Sequence, residues 1–221
     1  MKQWPLPVAV SSFTVVPLAC FRGRCTDVAH EFQDRIQNGR ERGCWDFSEQ
    51  ELDLSVLYSV APPKGGAHFP GFLLWEPTNQ PGTTAMLSNC MDGLQRRLLF
   101  LNQIYGRECM RVLLSRDYNY MPECCFEFFG ERGQHRRVEV FRERKWEFRS
   151  EGEPLAFEDL AIYRRKVLRE RLTPEIIVGY LSRAGWEVAE DMFWMSEEKA
   201  VLARQLRWGP DLTMDELFPE G

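Results

Sequence analysis

The side chains that could bind metals, move protons or act as nucleophiles are few in this chain, and they are scattered. There are three histidines, His30, His68 and His135. Their surroundings place one on a helix, one in a Gly/Pro loop and one in a hairpin turn. No H-E-x-x-H, G-x-S-x-G, Walker A loop or G-x-G-x-x-G occurs. Lys64-Gly65-Gly66 precedes no helix whose N-terminus could receive a phosphate, so it reads as a turn. Cys20 and Cys25 are spaced C-x4-C, while Cys124 and Cys125 are adjacent. Zinc needs four convergent ligands, and two neighbours on a strand point to opposite faces, so they cannot chelate together. Seven cysteines is an odd number in a chain too long to need disulfide staples, so they read as reduced thiols. The sequence predicts neither a metal site nor a cofactor.

Carboxylates and arginines form the remaining candidates. Glu151, Glu153, Glu158 and Asp159 cluster around a turn and a helix start, where acidic side chains complement the helix dipole as readily as they do acid/base work. Arg164-Arg165-Lys166 and Arg169-Glu170-Arg171 carry enough charge for a phosphate. On a helix they form the solvated face opposite Tyr163, Val167 and Leu168. An enzyme assembled from scattered residues would draw on Asp92, Glu158 and His68. That reading remains an alternative, as does an adaptor or structural subunit.

Charge is distributed unevenly. The net charge is −5. Residues 186–221 hold nine carboxylates against three bases, net −6, whereas residues 130–172 hold nine carboxylates against twelve Lys or Arg, net +3. In the second stretch the signs alternate along the chain, as on a solvated sheet face. Nucleic acid demands a basic field that is not cancelled locally, so it is excluded as a partner. The acidic end suits a basic protein. Trp186, Trp194 and Trp208 lie among its carboxylates and have two readings, core packing or a recognition surface. The partner-binding candidates are therefore Trp186, Glu187, Glu190, Asp191, Trp194, Glu197, Glu198 and Trp208.

The elements that must position these groups follow from hydrophobic period. No apolar run reaches the roughly 18 residues of a membrane span, and Val8 to Leu18 is broken by Ser11, Ser12, Thr14 and Pro17. The expectation is a cytosolic protein with no membrane partner. At 221 residues, folding buries roughly 70% of the extended chain's surface. With no linker-like stretch, residues 1–221 are expected to form one domain with a frayed tail at 210–221. Strands are expected at Phe13 to Cys20, Leu52 to Tyr58, Phe69 to Trp75, Thr83 to Ser88 and Met110 to Leu114. Turns are expected at Pro62 to Gly66 and Asp117 to Pro122. A helix follows Asp27 and ends at Asn38-Gly39. Another runs to Tyr105 with Met91, Leu94, Leu98 and Leu101 inward and Asn102 toward water. Cys124 to Phe129, Arg137 to Arg142 and Lys145 to Arg149 are strand-like runs at hairpin spacing, an antiparallel meander. Val138, Val140, Trp146 and Phe148 mark its buried face; Glu139, Arg142, Glu147 and Arg149 mark its wet one. Beyond it come a helix with Leu160, Tyr163, Val167 and Leu168 inward, a helix started by Thr173-Pro174 and stopped by Gly185, and an amphipathic helix over Ser196 to Leu206. The expected fold is α+β, an antiparallel meander sheet packed by several helices, with a helical C-terminal third.

Two stretches resemble a known family. Trp75 to Gly93 reads W-E-P-T-N-Q-P-G-T-T-A-M-L-S-N-C-M-D-G, and Arg137 to Tyr180 contains R-V-E-V-F-R-E-R-K-W-E-F, G-E-P-L-A-F-E and R-L-T-P-E-I-I-V-G-Y-L. The S-N-x-x-D-G segment followed by a hairpin with K-W-E-F resembles bacterial immunity-type proteins associated with polymorphic or type VI secreted toxins. The resemblance covers about a third of the chain. It implies a cytosolic protein that binds a cognate toxin stoichiometrically and blocks its active site or cofactor access. The acidic end would suit a basic toxin.

Overall fold

β-branched and aromatic runs dominate the chain's centre, and they form strands that are buried on both faces. A computed structural model describes residues 4–37, 43–57, 70–116 and 122–206. The strands are β1 (Val15–Arg22), β2 (Trp45–Gln50), β3 (Gly71–Trp75), β4 (Thr83–Ser88), β5 (Cys109–Ser115), β6 (Glu123–Phe129), β7 (His135–Arg142), β8 (Trp146–Glu151) and β9 (Ala200–Gln205). They make one antiparallel sheet in the order β2-β9-β3-β4-β1-β5-β6-β7-β8. Every residue of β3 and β5 is buried, which is why these strands read as continuous apolar runs.

Side chains alternate across the sheet and build a core on each face. On the first face, Leu18, Leu73, Trp75, Val112, Phe126 and Val138 meet α3 (Pro174–Arg183) and the irregular segment that follows it. On the second, Phe21, Phe72, Leu74 and Met86 meet α1 (Cys25–Gln37) and α2 (Gln95–Tyr105). The Thr173 hydroxyl accepts from the Ile176 amide at 3.5 Å with Pro174 in the first turn, the start that the sequence announces. The meander is present as β6, β7 and β8.

Several expectations are overturned, beginning with the α+β fold of a meander packed by several helices: nine strands make one sheet, and among the described residues only three short α-helices accompany it. The C-terminal third is not helical: among the described residues it holds only α3, three isolated 3-10 turns and β9. Where one helix was expected around Tyr163, there are separate turns at Ile162–Arg164 and Leu168–Glu170. A helix would set Arg165 and Lys166 one turn from Arg169, like charges that repel, and the Tyr163 hydroxyl is drawn instead to Glu158 at 2.8 Å. The amphipathic helix expected over Ser196 to Leu206 is β9. Ala200 and Leu202 join the first core and Ala203 the second, a period of two, and the segment completes the backbone hydrogen bonds of β2 and β3 on either side. Leu54–Leu57 is a 3-10 turn, not a strand, because the Asp53 carboxylate accepts from the Ser55 amide at 2.9 Å and its hydroxyl at 2.7 Å. The Asn102 side chain is buried, donating to the Arg107 and Gly130 carbonyls at 3.1 and 3.0 Å, whereas Met91 is exposed. The turns expected at 62–66 and 117–121, the helix stop at 38–39 and the tail at 210–221 lie outside the described residues. No helix among the described residues is long and apolar enough to cross a membrane.

Gly152 closes the β7–β8 hairpin region with φ +79°, and a Cβ there would run into the His135 carbonyl. Gly152→Ala is expected to destabilise by about 2 kcal/mol or more, since the left-handed backbone alone costs about 1–2 kcal/mol. The urea midpoint should fall with unchanged slope.

Candidate functional site

Charged side chains continue the second face of the sheet beyond its apolar core, and strand register sets them in rows. Arg111, Glu127, Arg137 and Glu151 stand opposite one another across β5, β6, β7 and β8, and Leu113, Cys125, Glu139 and Arg149 form the next row. Glu127 is wholly buried. Its Oε2 accepts from Arg111 Nη1 at 2.9 Å and its Oε1 from Gln95 Nε2 at 2.7 Å, with His135 Nε2 at 2.9 Å. Three partners take up most of its acceptor positions, and burial keeps it from reaching a substrate. Glu139, expected on the wet face, is only 4% exposed and accepts from Arg137 Nε at 2.8 Å. Gln95 at the start of α2 and the guanidinium groups of Arg111 and Arg137 together cover these carboxylates.

The loop ahead of α2 shows why its residues are the types they are. Asn89 Oδ1 accepts from the Gly71 amide at 2.8 Å, Asp92 Oδ1 from the Leu94 amide at 3.0 Å, and the Asp92 carbonyl from Arg111 Nε at 2.8 Å. Gly93 has φ +56°, and a Cβ there would stand 3.2 Å from Arg111 Nε. The S-N-x-x-D-G segment therefore seats Arg111 through the Asp92 carbonyl, while the exposed Asp92 carboxylate caps the Leu94 amide.

Among the described residues, one group has ligand atoms close enough to hold a metal: Glu123, Cys125 and Glu139, all within 4.8 Å. It does not fit a cation. Arg111 Nη1 is 3.5 Å from Cys125 Sγ, so guanidinium already supplies positive charge there, and burial pushes the Cys125 thiol up to about 12.

On the first face, Arg136 is 1% exposed and forms a bidentate pair with Glu158, Nε to Oε1 at 2.9 Å and Nη2 to Oε2 at 2.7 Å. Arg136 Nη1 serves Ser150 Oγ and the Glu151 and Gly152 carbonyls, and Glu158 also accepts from the Leu155 amide and Tyr163 hydroxyl. Glu158 is thus a structural anchor. Glu151, Glu153 and Asp159 are exposed and His30 lies on the outer side of α1, so the structure brings none of the scattered acid/base candidates together. His68 lies outside the described residues. A cavity of about 260 Å³ lies between β1, β5 and the segment after α3, walled by Cys20, Cys109, Phe128, Phe157, Trp186 and others. Burial raises the Cys20 and Cys109 thiols far above their usual range, so neither offers a thiolate.

The acidic segment is arranged differently. Trp186, Val188, Phe193 and Trp194 are buried pegs, with Trp186 3% and Trp194 4% exposed. The Trp194 indole donates to the Val188 carbonyl and the Trp75 indole to the Phe193 carbonyl, both at 2.8 Å. Arg22 lies 4.4 Å over the Trp186 ring. Between the pegs, Glu187, Glu190, Asp191, Glu197 and Glu198 all face solvent, beside Met192 at 49% and Met195 at 57% exposure. The β3–β4 loop ties both ends: Gln80 Nε2 donates to the Gly185 carbonyl and the Thr78 amide to the Met195 carbonyl. The two indoles pack in the core, the carboxylates form one held surface, and Trp208 lies outside the described residues. Sequence reasoning passed over the two methionines. Their signal was an apolar residue next to a tryptophan peg, out of phase with the core.

Burial raises the Glu123 carboxyl above its ordinary 4.5, and nearby Arg111 offsets this in part. Folding therefore favours the protonated form; that contribution is full below pH 4.5 and is lost as pH rises through the raised value. Glu123→Gln, neutral throughout, should be more stable than the parent at about pH 7 and lose that advantage below about pH 4, as read by urea unfolding at the two pH values. No protein-family model, curated protein or solved structure matches the chain.

Proposed function

We propose that the chain is an immunity-type protein that works in the cytosol, neutralising a cognate secreted toxin by direct stoichiometric binding through the acidic band at 187–198. The observation that carries this reading is the construction of the band. Four buried apolar pegs and two loop hydrogen bonds hold a segment that has little regular structure, while all five carboxylates and two methionines are turned outward. Pre-ordering such a surface lowers the entropy lost on binding, the carboxylates steer a basic partner, and methionine adapts to an apolar contact. The burial and hydrogen bonding of Glu127 and Glu158 support the same reading, because both leading buried carboxylates serve the fold.

Co-expression with the product of the neighbouring reading frame tests it: the proposal expects that frame to encode a toxin domain. The parent chain should restore growth and co-purify with the toxin at equal stoichiometry. Replacing Glu190, Asp191 and Glu197 by Lys, none of them buried, should leave the melting temperature unchanged and weaken association by more than about tenfold, with added salt weakening the parent complex in the same direction. Cells indifferent to the neighbouring frame, or a charge-reversed chain that still protects, would sink the proposal.

A further inference from the structure

β8 is the last strand in the sheet order, so the backbone groups on its outer side are not taken by β7. It carries the K-W-E-F segment. On the second face, Glu147 stands opposite Phe141, Arg149 opposite Glu139 and Glu151 opposite Arg137, and Lys145 lies in the bend just before β8. Lys145 and Glu151 are exposed, and the side chains of Glu147 and Arg149 are 37% and 55% exposed. Their present partners are loosely held: Arg149 lies 3.4 Å from Glu147 and 3.5 Å from Glu139.

We propose that the β8 edge is a self-association surface, on which a second copy of this chain pairs β8 with β8 antiparallel about Phe148 and joins the two sheets into one. A two-fold axis through an antiparallel strand pair keeps both copies' faces on the same side, so the pairing must be centred on a residue. Centred on Phe148, Glu147 meets Arg149, twice by symmetry, and Glu151 comes toward the bend that carries Lys145. The charges on either side of Phe148 are opposite in sign, so the pairs within the strand are favourable. Centred one residue later, on Arg149, Arg149 meets itself and Glu147 meets Glu151. Centred one residue earlier, on Glu147, Glu147 meets itself and Lys145 meets Arg149. Both neighbouring registers are repulsive, and centres on Trp146 or Ser150 would pair only one or three residues of β8 against five here, so charge and overlap together select the Phe148 register. On the first face the same register sets Phe148 against its copy and Trp146 against Ser150, each Phe148 ring resting on its own Tyr163 at 5.4 Å with Arg171 over it at 5.1 Å. Val167, 45% exposed, precedes the Leu168–Glu170 turn packed against β8 and extends that apolar side. Edge charges usually keep sheets apart, and a row of one sign would do so here; this row complements itself.

Sedimentation velocity of the purified full chain between about 1 and 100 µM tests the pairing, with Glu147→Arg and Arg149→Glu as separate variants. The parent should show a concentration-dependent dimer. Each single variant puts like charges opposite each other twice and should raise the dimer dissociation constant by about tenfold or more. An equimolar mixture of the two variants should dimerise again, because each then faces its opposite, and this recovery also shows that neither change has merely unfolded the chain. A parent that stays monomeric over this range, single variants that dimerise like the parent, or a mixture that fails to recover would each overturn the proposal.

Discussion

The sheet depends on β9 filling the gap between β2 and β3. Among the described residues β2 has no other paired strand, and without β9 the strand β3, buried along its whole length, would become an edge. A strand contributed by a segment more than a hundred residues downstream closes a long loop, and loop-closure entropy must be recovered by burial on both faces. Ala200 and Leu202 bury on one face and Ala203 on the other, so β9 links the two cores as well as the two strands. This return also fixes the acidic band. Between α3 and β9 the chain must cross the first face, and Trp186, Phe193 and Trp194 hold it there against Trp75, whose ring centroid lies 5.8 Å from that of Trp194.

Buried ions play the complementary part at the other end of the sheet. Arg111 with Glu127, and Arg136 with Glu158, take charges out of water, which is a poor source of net stability even when every hydrogen bond is made. Their effect is directional. Arg136 draws residues 150–158 onto β7 through five hydrogen bonds, and Glu158 brings Tyr163 and the Leu155 amide into the same cluster. An apolar replacement would have no such preference for one arrangement of an irregular segment. The same commitment removes these carboxylates from chemistry, which is why a buried glutamate in this fold is no sign of catalysis.

Where local signals and tertiary demands agree, the sequence is readable. The meander of β6, β7 and β8 and the Thr173-Pro174 start of α3 are both visible from turn residues, alternation and capping. Residues 160–171 and 200–205 are not, for different reasons. In the first, apolar spacing imitates a helix while Glu158 and like-charge crowding hold the chain in short turns. In the second, A-V-L-A-R-Q has no strong preference, and a vacant position in the sheet decides. Of the site, the carboxylates of 187–198 are legible as charge, but which tryptophans are pegs is set by Trp75 and Arg22, distant in sequence.

The two proposed surfaces lie far apart, and this has a functional consequence. The Met195 end of the band is tied to the loop after β3, and β8 is six strands away in the sheet order, so strand spacing alone separates that end from β8 by about 29 Å at roughly 4.8 Å per step. Pairing through β8 would leave both bands on the outer flanks of a joined sheet, each free to meet its own partner. Two such sites in one assembly favour a partner that is itself dimeric or locally concentrated, since the second contact forms at a high effective concentration. A neutral surface at β8 would not give this arrangement a defined register; the opposite charges of Glu147 and Arg149 about Phe148, at the middle of the strand, do.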